Sequence, residues 1–206
     1  MARHQRAFTL VEMLAVLAVI GILGAAASPS FVRMMRDSRV ATAASRVAEV
    51  YRVARARALG RGGAVMVRWQ GMAALPTPGN PGGHFEVREA IMGAGSCGLT
   101  PVPSCLGTDW SVGSANSRYV TSFDERAPQF APAMAQFMDL AGNSVDFAQI
   151  CYTPRGRTYI NFGAAQPFVP LRGVARVNVV NAQSLLSRPV LLPPTGVAHV
   201  VNAVGP

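Results

Sequence analysis

Lysine is absent from this chain of 206 residues; all 19 basic residues are arginine. Acidic residues number only 10, so the formal net charge is +9, and charged residues make up 14% against a usual quarter. Such sparse charge, with 50% hydrophobic residues and a mean hydropathy of +0.26, excludes an intrinsically disordered chain. Three cysteines without zinc-type spacing exclude a disulfide scaffold and a zinc module. Histidine is equally scarce. Only His84 and His199 follow the first few residues, and neither sits in a ligand pattern. There is no glycine-rich phosphate loop, paired-carboxylate motif or nucleophile elbow. The sequence therefore offers no catalytic residue, metal site or cofactor, and nothing in it supports an enzyme. What it has in quantity is Gly 20 and Pro 15, too many for an all-helical protein. A charge of +9 permits contact with nucleic acid or an anionic membrane without showing either.

One long hydrophobic run stands at the amino end. Residues 1–7 form a short basic segment, and from Phe8 to Ala27 only Thr9 and Glu12 are polar. Twenty residues of helix span about 30 Å, the hydrocarbon thickness of a bilayer. Arg3 and Arg6 precede the run, so the positive-inside rule keeps the amino end cytoplasmic and places the rest of the chain outside. A cleaved secretory signal is the rival reading, because Ala25-Ala26-Ala27-Ser28 offers small residues to a signal peptidase. Glu12 speaks against it. A carboxylate at that depth costs roughly 2.5–3.5 kcal/mol on insertion scales, a penalty with no purpose in a disposable signal.

The stretch Ala7-Phe8-Thr9-Leu10-Val11-Glu12-Met13-Leu14 resembles the processing site of type IV pilins and type II secretion pseudopilins. The resemblance implies a leader of residues 1–7, cleavage between Ala7 and Phe8, and methylation of the new Phe8 amine by a prepilin peptidase/methyltransferase. It departs from the family at Ala7, where glycine is usual. Glu12 and Pro29 fall where the family carries Glu and Pro. The resemblance implies that the Glu12 carboxylate faces the Phe8 amine of a neighbouring subunit in a helical filament. Coulomb attraction is strong where water is excluded, so that pair would set axial register. Pro29 lacks an N–H and should kink or loosen the helix, helped by Gly21 and Gly24.

The spacing predicts that the helix continues from Phe31 to about Arg61. Val40, Ala44, Val47, Tyr51, Ala54 and Ala58 form one apolar stripe at helical period, and Gly60, Gly62 and Gly63 supply the stop. Nine arginines stand between residues 33 and 68 against Asp37 and Glu49. They read mainly as a solvated face, some of it near anionic lipid before assembly. Residues 53–67 are similar to the end of the long helix and the first strand in the GspH/FimT-type group of minor pilins and pseudopilins. The fold expected is α+β, a type IV pilin-like lollipop: a transmembrane half (8–30) and an amphipathic half (31–61) of one helix, with the stripe packed on an antiparallel β-sheet in a head of residues 62–206.

Within that head, strands are expected at Ala64–Trp69, Phe85–Ile91, Arg118–Phe123, Ser144–Ile150, Cys151–Thr153, Arg157–Phe162, Gly173–Val180 and Val197–Val204. Pro154-Arg155-Gly156 reads as a hairpin turn, and Arg188–Pro194 as a proline-rich loop. Glycine, proline and serine supply 19 of the 47 residues from Gly71 to Ser117, which reads as an inserted loop rather than core. Cys97 and Cys105 lie inside it. Outside the inner membrane a disulfide between them is chemically plausible, and closing so short a loop would contribute roughly 2.5 kcal/mol. Cys151 would then be odd and buried; other pairings stay open.

These features lead to a minor pilin that helps initiate a type IV pilus and sits near its tip. Its partners would be other minor and major pilins, the inner-membrane assembly platform and a tip adhesin. Before assembly it would be a single-pass inner-membrane protein with its head in the periplasm. An H-type minor pseudopilin of type II secretion is the nearest alternative. A DNA-binding minor pilin for natural transformation is another, with Arg155, Arg157, Arg172, Arg176 and Arg188 as its basic patch.

Overall fold

The computed structural model describes residues 10–71, 83–92, 99–124, 127, 129–130, 133–163, 166–181 and 186–201, with the side chains of 26 and 27 left aside. Helix α1 runs from Leu10 to Arg61 as one element, with Pro29 inside it. At 1.5 Å per residue its 52 residues are about 78 Å long. It ends where the glycines predict. Gly62 takes a φ of +73°, the left-handed conformation that closes a helix and that side chains with a Cβ rarely adopt.

Twelve strands follow among the described residues: β1 (Val65–Gln70), β2 (His84–Met92), β3 (Thr100–Pro101), β4 (Ser117–Asp124), β5 (Ala133–Met138), β6 (Ser144–Val145), β7 (Phe147–Tyr152), β8 (Thr158–Asn161), β9 (Val169–Pro170), β10 (Ala175–Asn181), β11 (Ser187–Leu192) and β12 (His199–Val200). All pairings are antiparallel. They build two sheets where the sequence suggested one. The seven-stranded sheet runs β3-β2-β1-β7-β8-β9 with β4 also on β2, and the five-stranded sheet runs β12-β11-β10-β5-β6. A long helix followed by antiparallel sheets gives the α+β, lollipop-like fold of a pilin.

The core begins at Val40. Every member of the predicted stripe, from Val40 to Ala58, is buried. Those residues pack on Val65, Val67 and Trp69 of β1, Phe85 and Val87 of β2, Ile150 of β7, Val177 of β10 and Val190 of β11. The two sheets meet where the ring of Trp69 lies 6.0 Å from that of Phe137, and Phe137 lies 6.0 Å from Phe162. Strand β10 alternates buried and more exposed residues, as a sheet with one wet face should. Strands β1, β2 and β7 are buried on both faces instead.

The second cover is the correction to the 71–117 reading. That segment contributes β2, and its 99–117 part closes over the outer face of the seven-stranded sheet. Cys105 and Trp110 are buried there with Ala64, Met66, Ala90 and Cys151 in a second small core. Turn-forming composition hid two anchoring residues. Residues 72–82 and 93–98 of the segment lie outside the described residues.

Other boundaries also differ. The expected strand Ser144–Ile150 divides at Asp146, where the chain leaves β6 in one sheet and enters β7 in the other. Strand β7 then runs through Cys151 to Tyr152. Gly71 approaches that crossing closely: its N–H donates to the Asp146 carbonyl at 2.7 Å, and a Cβ there would stand 3.1 Å from the Trp69 ring. Residues 187–192, read as part of a proline-rich loop, form β11. Pro189 is accommodated opposite Asn178, and its carbonyl accepts the Val201 N–H at 2.9 Å. The last strand covers His199–Val200 only, and residues 202–204 of the predicted one lie outside the described residues.

Candidate functional site

The amino-terminal half of α1 has no core. Every described side chain from Leu10 to Met35 is exposed, including Leu10, Val11, Leu14, Leu17, Ile20 and Leu23. These 26 residues span about 39 Å of helix, enough to cross a bilayer with margin. The best 18-residue window has a mean hydropathy of 2.4 and none of it is buried within the chain. An apolar surface of this size has no stable place in water. Its natural solvents are a membrane or the equivalent helices of other subunits.

Glu12 lies in the first turn of the described helix, among these exposed apolar residues. Pro29 is 17 positions further on, about 25 Å along the axis, on the same bare segment. Ala7 and Phe8 lie outside the described residues.

The arginines of the second half of α1 are not simply a solvated face. Arg46 pairs with Glu49 at 2.6 Å on the surface. Arg52 donates through Nε to the Ala198 carbonyl at 2.7 Å, and Arg55 donates to the Thr195 carbonyl. The carboxyl-terminal strap of residues 195–198 is thereby held on the helix. Arg57 and Arg61 reach Glu89 on β2 at 3.2 and 3.4 Å, and Arg118 on β4 reaches it at 2.8 Å. Glu89 is 1% exposed. Burial alone would raise its pKa, but hydrogen bonds from Arg118 and Arg57 and the charges of Arg57 and Arg61 outweigh it and hold the carboxyl below its ordinary value. The sequence reading missed Glu89, because the three arginines that converge on it come from two distant elements.

The disulfide joins Cys105 to Cys151, not to Cys97. Cys151 faces the outer side of β7, where the 99–117 cover lies, so the cover is bonded to the sheet rather than to itself. Cys97 lies outside the described residues.

The proposed basic patch is divided between the sheets. Arg155 and Arg157 are exposed on the β7–β8 hairpin, Arg172 and Arg176 at the start of β10, and Arg188 is half-buried on β11. Among the described residues, no group of three or more His, Cys, Asp and Glu side chains could hold a metal ion.

Residues 2–28 match the prokaryotic N-terminal methylation motif. The chain carries a pilin-type prepilin signal. The match ends at the exposed half of α1, and no curated protein and no solved structure matches the chain. A pilin-type signal supports a type IV pilin or pseudopilin kind of protein. That kind is structural, is anchored by an apolar amino-terminal helix, and interacts with pilins and a prepilin peptidase.

Proposed function

We propose that this pilin-like chain is a minor pilin, cleaved between Ala7 and Phe8, methylated on Phe8, and incorporated near the tip of a type IV pilus whose assembly it helps initiate. The observation that carries the reading is the continuity of the methylation motif with a bare apolar half-helix bearing Glu12, on a head whose core starts only at Val40. A secreted globular protein has no use for that half-helix. In the membrane it anchors the subunit with its head outside; in a filament the same surface packs on neighbouring helices. Gly21 and Gly24 have open space around them, which allows close helix approach.

An H-type minor pseudopilin of type II secretion shares every one of these features, and neighbouring genes discriminate the two: pilus motor and tip-adhesin genes against secretin and exoprotein operons. A DNA receptor is the weaker reading, since its arginines are spread over two sheets. The deciding measurement is the mature amino terminus, taken by mass spectrometry from native membranes or sheared filaments. A methylated Phe8 is expected. A start at Ser28 would mean a conventional secreted protein and would remove the assembly reading.

A further inference from the structure

A groove of about 630 Å³ opens on the outer face of the seven-stranded sheet, between the 105–112 segment and residues 166–168. This volume lies within the range of small-molecule sites. Its floor is a row of polar side chains facing one another across three strands: Arg68 on β1 is opposite Gln149 on β7, which is opposite Asn161 on β8. All three are at least nine-tenths buried. Strands lie about 4.8 Å apart, so the row is about 10 Å long. Trp110, Phe147 and Phe168 also line the groove.

Both walls are tied to this floor. The 105–112 wall is fixed by the Cys105–Cys151 disulfide and by a hydrogen bond from the Arg68 guanidinium to the Trp110 carbonyl. The Trp110 indole N–H donates to the Cys105 carbonyl at 3.2 Å, which holds the ring in place. The other wall is fixed by Asn161, whose Nδ2 donates to the Gln166 carbonyl at 2.6 Å. The groove is therefore preformed, which lowers the ordering cost of binding.

The floor also has unmet hydrogen-bonding capacity. Among the described residues, the side-chain amide of Gln149 has no hydrogen-bond partner and its atoms open onto the groove. An amide placed this way offers one carbonyl acceptor and two N–H donors to whatever enters the groove. The needed occupant presents hydroxyls or carbonyls to the floor and C–H faces to the aromatic rings.

We propose that this groove binds a saccharide of one or two rings. Other classes fit less well. An acyl chain would bury the Gln149 amide unpaired. A peptide adding a strand needs a sheet edge, and this floor is a sheet face. A phosphate chain would meet Asp109 at the rim, where hydrogen bonds from Ser111 and Ser114 keep the carboxyl below its ordinary value and ionised.

The test uses the full chain in lauryldimethylamine oxide micelles, a detergent without a sugar headgroup. Cellobiose, lactose and diacetylchitobiose are titrated at millimolar concentration, with saturation-transfer NMR and tryptophan emission as readouts. Saturable binding of at least one disaccharide is expected. Gln149→Ala should weaken it tenfold or more, and Trp110→Phe should remove the emission change. Val112→Arg, at an exposed position on the groove mouth, should block binding without touching the core. Arg157→Ala, in the neighbouring depression, should leave it unchanged. Absence of saturable binding by all three sugars, or wild-type affinity in a folded Val112→Arg protein, would overturn the proposal.

Discussion

Glu89 is a carboxylate enclosed with the arginines that neutralise it, and Glu12 is one that the assembly reading brings to an amine of another subunit. Glu12 sits on the bare half-helix. A carboxylate there is costly in a membrane, and the assembly reading has it face the Phe8 amine of a neighbouring subunit. Glu12→Ala should therefore leave membrane insertion intact while lowering recovery in sheared filaments by an order of magnitude or more, measured by immunoblot of the two fractions. Normal incorporation would remove the assembly role. Glu89 meets its cations within one subunit. Because its pKa is lowered by folding, the stability it contributes is present above the ordinary carboxyl value of 4.5 and is lost as pH falls through the lower folded value. Glu89→Gln should cost about 2–3 kcal/mol at neutral pH, less than the 3–5 kcal/mol of a fully enclosed pair because its arginines keep water contact. The variant should also lose part of the acid limb in a melting-temperature profile. An unchanged profile would mean that the three arginines contribute nothing there.

At the scale of elements, the carboxyl end of the helix and the stripe were legible and the cover was not. Periodicity along one helix is a local property, so Val40 to Ala58 could be read from spacing alone. The end at Gly62 follows from backbone geometry. Gly62→Ala should lower stability by about 1 kcal/mol, visible as a fall of a few degrees in melting temperature, since nothing but the positive φ opposes the added methyl. Strand β11 was missed because Pro189 argues against an interior strand, and only the pairing with β10 reveals it. The 99–117 cover was missed for a similar reason. Glycine, proline and serine describe its turns, while Cys105 and Trp110, far apart in character from those residues, decide where it lies. Its bond to Cys151 closes a separation of 46 residues. The chain-entropy relation gives about 4 kcal/mol for a loop of that size, an upper figure. Cys105→Ser should accordingly lower unfolding free energy by up to that amount, seen as a lower denaturation midpoint, and speed proteolysis between residues 99 and 117. A Cys105→Ser midpoint equal to that of the oxidised wild type would refute the pairing.

The whole molecule divides by solvent rather than by domain boundary. Up to Met35 the helix is bare within the chain; from Val40 onward the same helix is part of the core of the head. Removing residues 1–32 should leave the head folded. A fragment beginning at Arg33 should melt within a few degrees of the full chain and stay in the aqueous layer of a detergent phase partition. Loss of cooperative melting would mean that the head depends on the bare half. The charge pattern serves this division. Arginines 52, 55, 57 and 61 fasten the helix to the strap and to Glu89, where the sequence suggested mainly a wet basic surface.

The strap at residues 195–198, held by Arg52 and Arg55, bears on how the subunit carries mechanical load. A pull on the protruding half of α1 runs along its axis. That axis lies within the head across both sheets, and its contacts with Val67, Val177 and Val190, the strap and Glu89 are loaded together. They must shear at once instead of opening one after another. A subunit joined this way yields at higher force when pulled by its helix than when its sheets are pulled apart at their edges.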